Sequence, residues 1–199
     1  MSCKDPAAKY GRVLVKISGE ALAGGGFGYD WDVVRNVCRA VAKCAKMGVQ
    51  VGIVVGGGNI WRGRQGEKMD RTRADHMGML ATAINCLAVA DVIRNMGVGA
   101  KVMTAVDIQG VGERYDTRKS IEYMEQGNIV LFACGTGHPF FSTDTAAALR
   151  AAEIEADIIF KASMVDGIYD SDPHKNPNAV KFEHLTYMDV LNKDLKVMD

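Results

Sequence analysis

Five short runs rich in valine and isoleucine, each separated from the next by a stretch with helical spacing, constrain this chain more than any other feature. The runs cover residues 12–17, 49–55, 98–104, 128–134 and 157–161, and the helical stretches cover 31–47, about 75–96, 117–126 and 143–156. Strands that alternate with helices of this length must connect by crossovers, which makes neighbouring strands parallel. The expected fold class is therefore α/β, a three-layer α/β/α arrangement around a mostly parallel sheet. Gly48, Gly97 and Gly127 each follow a helical stretch and precede a strand, the position at which a helix is ended by a residue with positive φ. A turn, an irregular loop and a short helix from about Thr186 are expected after Ser163.

With 48% hydrophobic residues over 199, the chain has enough apolar surface for one globular core. Lys plus Arg and Asp plus Glu both number 24, so the basic excess of a nucleic-acid-binding face is missing. No apolar run approaches the ~20 residues that span a bilayer, and no signal core precedes the first strand. The expectation is a soluble cytoplasmic protein without nucleic-acid or membrane partners. The five cysteines contain no C-x-x-C pair, and the four histidines have no zinc spacing. They read as reduced, mostly buried thiols, with no metal ligands among the side chains.

In an open parallel sheet, ligands bind outside the carboxyl ends of the strands, so the loops there carry the chemistry. Gly56, Gly57 and Gly58 follow the second run. Without Cβ atoms their amides can approach a phosphate, although a close helix–strand crossing needs the same residues. Arg62 adds a fork donor for phosphate oxygens, or is a solvated surface arginine. Lys16 ends the first run beside Ser18 and Gly19, where an ammonium can neutralise a transferring phosphoryl group or simply reach water. In GTGHPFFSTD, Thr143 is the expected N-cap of the following helix, with Asp144 in its first turn. His138, Phe140 and Phe141 suit a pocket for a flat ring. In VDGIYDSDP, Asp166, Asp170 and Asp172 surround Tyr169; the spacing is not that of an EF-hand, leaving a self-bonded turn or an aromatic face for a base.

Several classes are excluded. The chain has no G-x-x-x-x-G-K-[ST], no G-x-G-x-x-G after a strand, no H-R-D or D-F-G and no nucleophile elbow. The residues alone thus lead to a parallel α/β protein with anion-binding glycine loops and a phosphate-handling site, its reaction open.

A resemblance goes further. KISGEAL, GFGYD, VVGGGNIWRG, DHMGMLATAIN, GTGHPFFSTDTAA, EADIIFKASMVDGIYDSDP and LKVMD, in this order and spacing from about residue 10 to the end, closely resemble the bacterial uridylate kinases of the amino-acid-kinase superfamily. That resemblance implies magnesium-dependent transfer of the γ-phosphoryl group of ATP to UMP, giving UDP and ADP. It implies one domain over residues 1–199, with a UMP-binding core lobe at about 10–155 and the start of an ATP lobe at about 156–199. Lys16, Ser18, Gly19 and Gly58 would meet the ATP phosphates, and Ser163, Tyr169 and Asp172 its adenine and ribose. Gly57 would face UMP, Arg62 its phosphate and Asp75 its ribose. Thr136, Gly137, His138, Pro139, Phe140, Phe141, Ser142 and Thr143 would wrap the uracil and phosphate. Asp144 and Asp199 would organise the lysines and the metal, with Lys196 as a further neutralising charge.

A homohexamer built as a trimer of dimers, and effector responses to GTP and UTP, are also implied. The apolar helix DHMGMLATAINCLAVADVI suits a subunit contact or an ordinary core helix. Members of the family continue past LKVMD, so the C-terminal part of the domain is expected to be missing from these 199 residues. Acetylglutamate and carbamate kinases, and a non-catalytic nucleotide-binding or storage protein on the same fold, are the alternatives. GTGHPFFSTD, and the joint presence of Lys16, Arg62, Asp75, Asp144 and Asp199, weigh against them.

Overall fold

The computed structural model describes residues 8–24, 26–61, 68–162, 165–173 and 175–195. Arg62, Ser163, Lys196 and Asp199 lie outside these residues. The chain divides into two compact units, Met1–Ala162 and Ser163–Asp199.

The first unit runs β1 (Arg12–Ile17), α1 (Gly19–Leu22), α2 (Trp31–Lys46), β2 (Gln50–Val55), α3 (Arg71–Asn95), β3 (Ala100–Thr104), β4 (Glu113–Arg114), α4 (Thr117–Glu125), β5 (Ile129–Ala133), α5 (Thr143–Glu153) and β6 (Ile158–Ala162). The six strands form one sheet in the order β4-β3-β5-β2-β1-β6, and every pairing is parallel. Side chains alternate between its faces. Val13 and Ile17 of β1, Val51, Ile53 and Val55 of β2, and Ile129 and Leu131 of β5 pack with α2 and α3. Leu14, Val54, Val130 and Phe132 point the other way, against α4 and α5. These are the three layers expected.

The helix ends follow the chemistry of their sequences. Asp30, Asp70 and Asp116 accept backbone N–H groups at the starts of α2, α3 and α4, each satisfying donors that have no partner within the helix. Gly48, Gly97 and Gly127 have φ of 80°, 76° and 81°. The start of α5 corrects an expectation: Ser142, in extended backbone, is the cap and accepts from the Thr145 N–H at 3.2 Å, while Thr143 is the first helical residue. Two short elements, α1 and β4, had no sequence signal, since neither contains an apolar run. Helix α3 starts four residues before its apolar periodicity does, because its first turn is Arg-Thr-Arg.

By length and composition α3 could cross a membrane, but half of its most apolar window is buried inside the protein. Its inner face carries Met79, Ala83, Cys86, Val89, Ala90 and Ile93 onto the sheet. Its outer face exposes Met77, Leu80, Ile84 and Leu87.

In the second unit, Tyr169 and Lys181 form an antiparallel bridge. Helix α6 (Tyr187–Asn192) begins with a capping box between Thr186 and Asp189, as the expected short helix requires.

Candidate active site

Adjacent strands β2 and β5 send their chains to opposite faces of the sheet, β2 to α3 and β5 to α5. A crevice must open between their carboxyl ends, since neither connection covers it. A cavity of about 140 Å³ lies there. Gly57 and Asp75 line one side, and Thr136, His138, Phe141 and Thr143 the other.

Beside it is a buried charge centre. Lys16 shares the face of β1 that Leu14 presents to α5, and the parallel register sets Lys161 of β6 directly opposite Lys16. Both ammoniums reach the same carboxylate: Lys16 Nζ lies 2.7 Å from Asp144 Oδ1 and Lys161 Nζ 2.6 Å from Asp144 Oδ2. Asp144 and Lys16 are almost wholly buried. Burial alone pushes the Asp144 carboxyl up, but the bonds from Lys16 and Lys161 outweigh it and hold the group below its ordinary value. Two ammoniums thus converge on one carboxylate at the edge where the strands end. Lys161 was not singled out from the sequence; its signal was positional, because strand alternation places it on the same face as Lys16.

The glycine turns pack tightly. A Cβ on Gly19 would stand 2.6 Å from both Gly56 O and Gly58 N, so the turns after β1 and β2 touch backbone to backbone. Gly57 would meet Ala81 Cβ at 2.9 Å and Gly78 O at 3.0 Å; its bare Cα lets the turn lie against α3 while lining the cavity. The close helix–strand crossing is therefore realised in a turn that also borders the cavity. Ser18 leads into α1 and makes no side-chain capping bond.

The segment after β5 is held in an unusual backbone. Cys134, Gly135, Gly137 and Phe140 have φ of 66°, 58°, 82° and 71°, four left-handed residues within seven, of which two lack a Cβ. The Thr82 hydroxyl accepts the Cys134 N–H at 2.8 Å, and Asp75 Oδ2 accepts the Phe140 N–H at 2.8 Å. Arg71 donates to both oxygens of Asp75 at 3.0 Å and sets its guanidinium 5.6 Å from the Phe140 ring centre. Phe140 therefore contributes its backbone to the fastening and turns its ring outward, whereas Phe141 and His138 face the cavity. Gly137 borders a second cavity of about 550 Å³, which Thr136 and His138 line as well. Pro139, Phe140 and Ser142 border neither cavity.

In the second unit, the Tyr169 hydroxyl donates to Asp166 at 2.6 Å and Lys181 Nζ lies 2.8 Å from the same carboxylate. These partners draw Asp166 down to about 2. Asp170 accepts the Val180 N–H and Asp172 lies 3.4 Å from Lys175 Nζ, so the acidic turn is largely self-bonded. Among the described residues no group of three or more His, Cys, Asp and Glu is placed to hold a metal ion. Among the described cysteines, Cys38, Cys86 and Cys134 are buried, in line with the reading of mostly buried thiols, and Cys44 is the exception, exposed on α2. Burial pushes the Cys38 thiol up to about 11 and raises Cys86 and Cys134, so none is an activated nucleophile.

Two lysines on one buried carboxylate, beside two glycine turns at the carboxyl edge of a parallel sheet, mark a candidate site of an α/β protein. A model of the amino acid kinase family matches residues 11–199, and the chain belongs to that family; it is a phosphotransferase of this type. Among solved structures it is similar to the UMP kinase from Bacillus anthracis, with 36% identity, a TM-score of 0.91 and coverage of 96% of this chain and 81% of that one. It is likewise similar to the UMP kinase from Ureaplasma parvum, with 38% identity, a TM-score of 0.88 and coverage of 96% and 83%.

Proposed function

We propose that the protein transfers the γ-phosphoryl group of ATP to UMP. The observation that carries this reading is the Lys16–Asp144–Lys161 centre beside a cavity of about 140 Å³: charge for a transferring phosphoryl group, next to a space for a small acceptor. The similarity to two UMP kinases supports the choice of acceptor.

In this reading the donor phosphates lie against Ser18, Gly19 and Gly58, and UMP occupies the cavity against Gly57, Asp75 and the segment from Thr136 to Thr143. Arg62 bonds the UMP phosphate. Ser163, Tyr169 and Asp172 hold the nucleoside end of ATP. Lys16 and Lys161 stabilise charge on the transferring group, and Asp144 keeps the two ammoniums from repelling each other. The acceptor is already an ionised phosphate, so positioning and charge suffice and no strong base is needed. Magnesium keeps most of its water and binds mainly through substrate phosphates; both oxygens of Asp144 already bond lysines, which leaves the phosphates as its main ligands. Asp199 and Lys196 complete the charge arrangement of the family pattern. UTP shares the uridine of UMP and competes for the same cavity, GTP acts as an effector elsewhere, and the exposed face of α3 joins copies of the chain toward a hexamer.

Magnesium-dependent ADP release from ATP, with UMP, CMP, dTMP or N-acetylglutamate supplied separately, tests the reading. A large response to UMP, little to CMP and loss of activity in Lys16→Ala are expected. Turnover of N-acetylglutamate instead, or nucleotide binding without turnover, would replace it with one of the alternative readings.

A further inference from the structure

Behind the glycine turns lie two buried carboxamides that the proposed chemistry does not use. Asn85 on α3 is fully buried, and so is Asn59 in the turn after β2. Asn85 Nδ2 donates to Gly56 O at 2.6 Å and to Asn59 Oδ1 at 2.7 Å. Asn59 Nδ2 returns a bond to Asn85 Oδ1 at 3.1 Å and gives another to Gly28 O at 2.8 Å. The Tyr29 hydroxyl donates to Asn85 Oδ1 at 2.8 Å. A Cβ on Gly19 would stand 2.8 Å from Asn59 Oδ1, so the turn after β1 also rests on the pair. KISGEAL, GFGYD, VVGGGNIWRG and DHMGMLATAIN, four segments distant in sequence, all meet at this point.

The pattern needs carboxamides. Gly56 O and Gly28 O both require donors, while the Tyr29 hydroxyl requires an acceptor, and only an amide side chain of this size supplies both. A leucine strands Gly56 O, and an aspartate sets a carboxylate against it, each leaving buried polar groups unpaired. We propose that Asn59 and Asn85 are positioning residues whose reciprocal pair fixes the distance between the Ser18–Gly19 turn and the Gly56–Gly58 turn, and through it the alignment of donor and acceptor phosphates. This rests on the phosphotransfer reading above.

The test is Asn85→Asp in the full chain, with kcat measured at saturation and the affinities of UMP and ATP measured singly by calorimetry. Each turn still binds its own phosphate, so both affinities stay within about threefold while kcat falls about tenfold to a hundredfold, the cost of a misplacement of an ångström or less. A role in stability alone would lower the melting temperature without separating kcat from affinity. Amide hydrogen exchange reads the same point without any substrate: exchange rises in both 17–20 and 56–60 while 129–133 stays protected. If wild type turns over no acceptor, the functional reading fails, and exchange alone decides this one. A folded variant with kcat, affinities and exchange all within about twofold of wild type, less than the loss of one hydrogen bond predicts, overturns it. Should Asn85→Asp not fold, Tyr29→Phe removes only one hydroxyl from the pair; a fall in kcat of about threefold, the worth of one neutral hydrogen bond, supports the proposal and an unchanged kcat overturns it.

Discussion

At the scale of single residues, Asp144 is the most exacting position. Its carboxylate is reached by both Lys16 and Lys161, and removing one partner from buried ions costs about 3–5 kcal/mol. Asp144→Asn is expected to lose stability of that order in urea denaturation near neutral pH. The pH dependence has a definite sign. The native carboxyl is held below its ordinary 3.8, so the unfolded chain binds the proton more readily and the stabilisation is complete above that value. As the pH falls through the native value, wild type should lose its advantage over Asp144→Asn; a gap that stays constant into strong acid would show that the carboxylate is not the source. Gly57 is a second such position. An added methyl meets Ala81 and the Gly78 carbonyl, neither of which is a flexible side-chain end. Gly57→Ala should cost about 1–3 kcal/mol, as overpacking does, and should weaken UMP binding as well, because the turn lines the cavity.

At the scale of elements, the sequence was legible where a repeating physical pattern exists. The apolar strands, the helices between them and the glycines that end α2, α3 and α4 could all be read, because burial and positive φ each demand particular residue types. Gly97 and Gly127 have open space around a would-be Cβ, so only backbone strain opposes a substitution. Gly97→Ala should therefore cost about 1–2 kcal/mol, the left-handed penalty of an L-residue, with no change in activity; thermal unfolding and the ADP assay together check both halves. What could not be read was local and short. Strand β4 is two polar residues that pair only because β3 is already there. The cap of α5 went to Ser142 and not to Thr143, a choice made by backbone angles that neighbouring hydroxyl residues do not distinguish. Lys161 and the Asn59–Asn85 pair were missed for a different reason: strand alternation hints at the face Lys161 takes, but their roles come from register and from contacts between distant segments.

At the scale of the whole molecule, the site is a property of sheet order. Lys16, the glycine turn, the segment after β5 and Lys161 come from β1, β2, β5 and β6, the four contiguous strands at one side of the sheet. At the other side of the sheet, Ala105, just after β3, and Arg114 of the edge strand β4 line the second cavity. On the opposite side of α3 from the sheet, Met77, Leu80, Ile84 and Leu87 recur at helical spacing and remain exposed, an apolar stripe that a charged face would not leave in water. Under the proposed assembly through α3, Ile84→Glu should give a smaller sedimentation coefficient than wild type, with the helical content of the far-ultraviolet spectrum unchanged; an unaltered sedimentation coefficient would remove α3 as the meeting face.

The pairing of β6 with β1 has a further consequence during synthesis. The first lysine of the charge centre emerges in the first strand and the second in the last strand of the same unit. Until that strand docks, Lys16 and Asp144 form a neutral couple and the edge of the sheet has little net pull on phosphate. Under the proposed function, a growing polypeptide gains its grip on nucleotide only when β6 pairs with β1, and nucleotide retention by stalled ribosome-bound chains would mark that pairing.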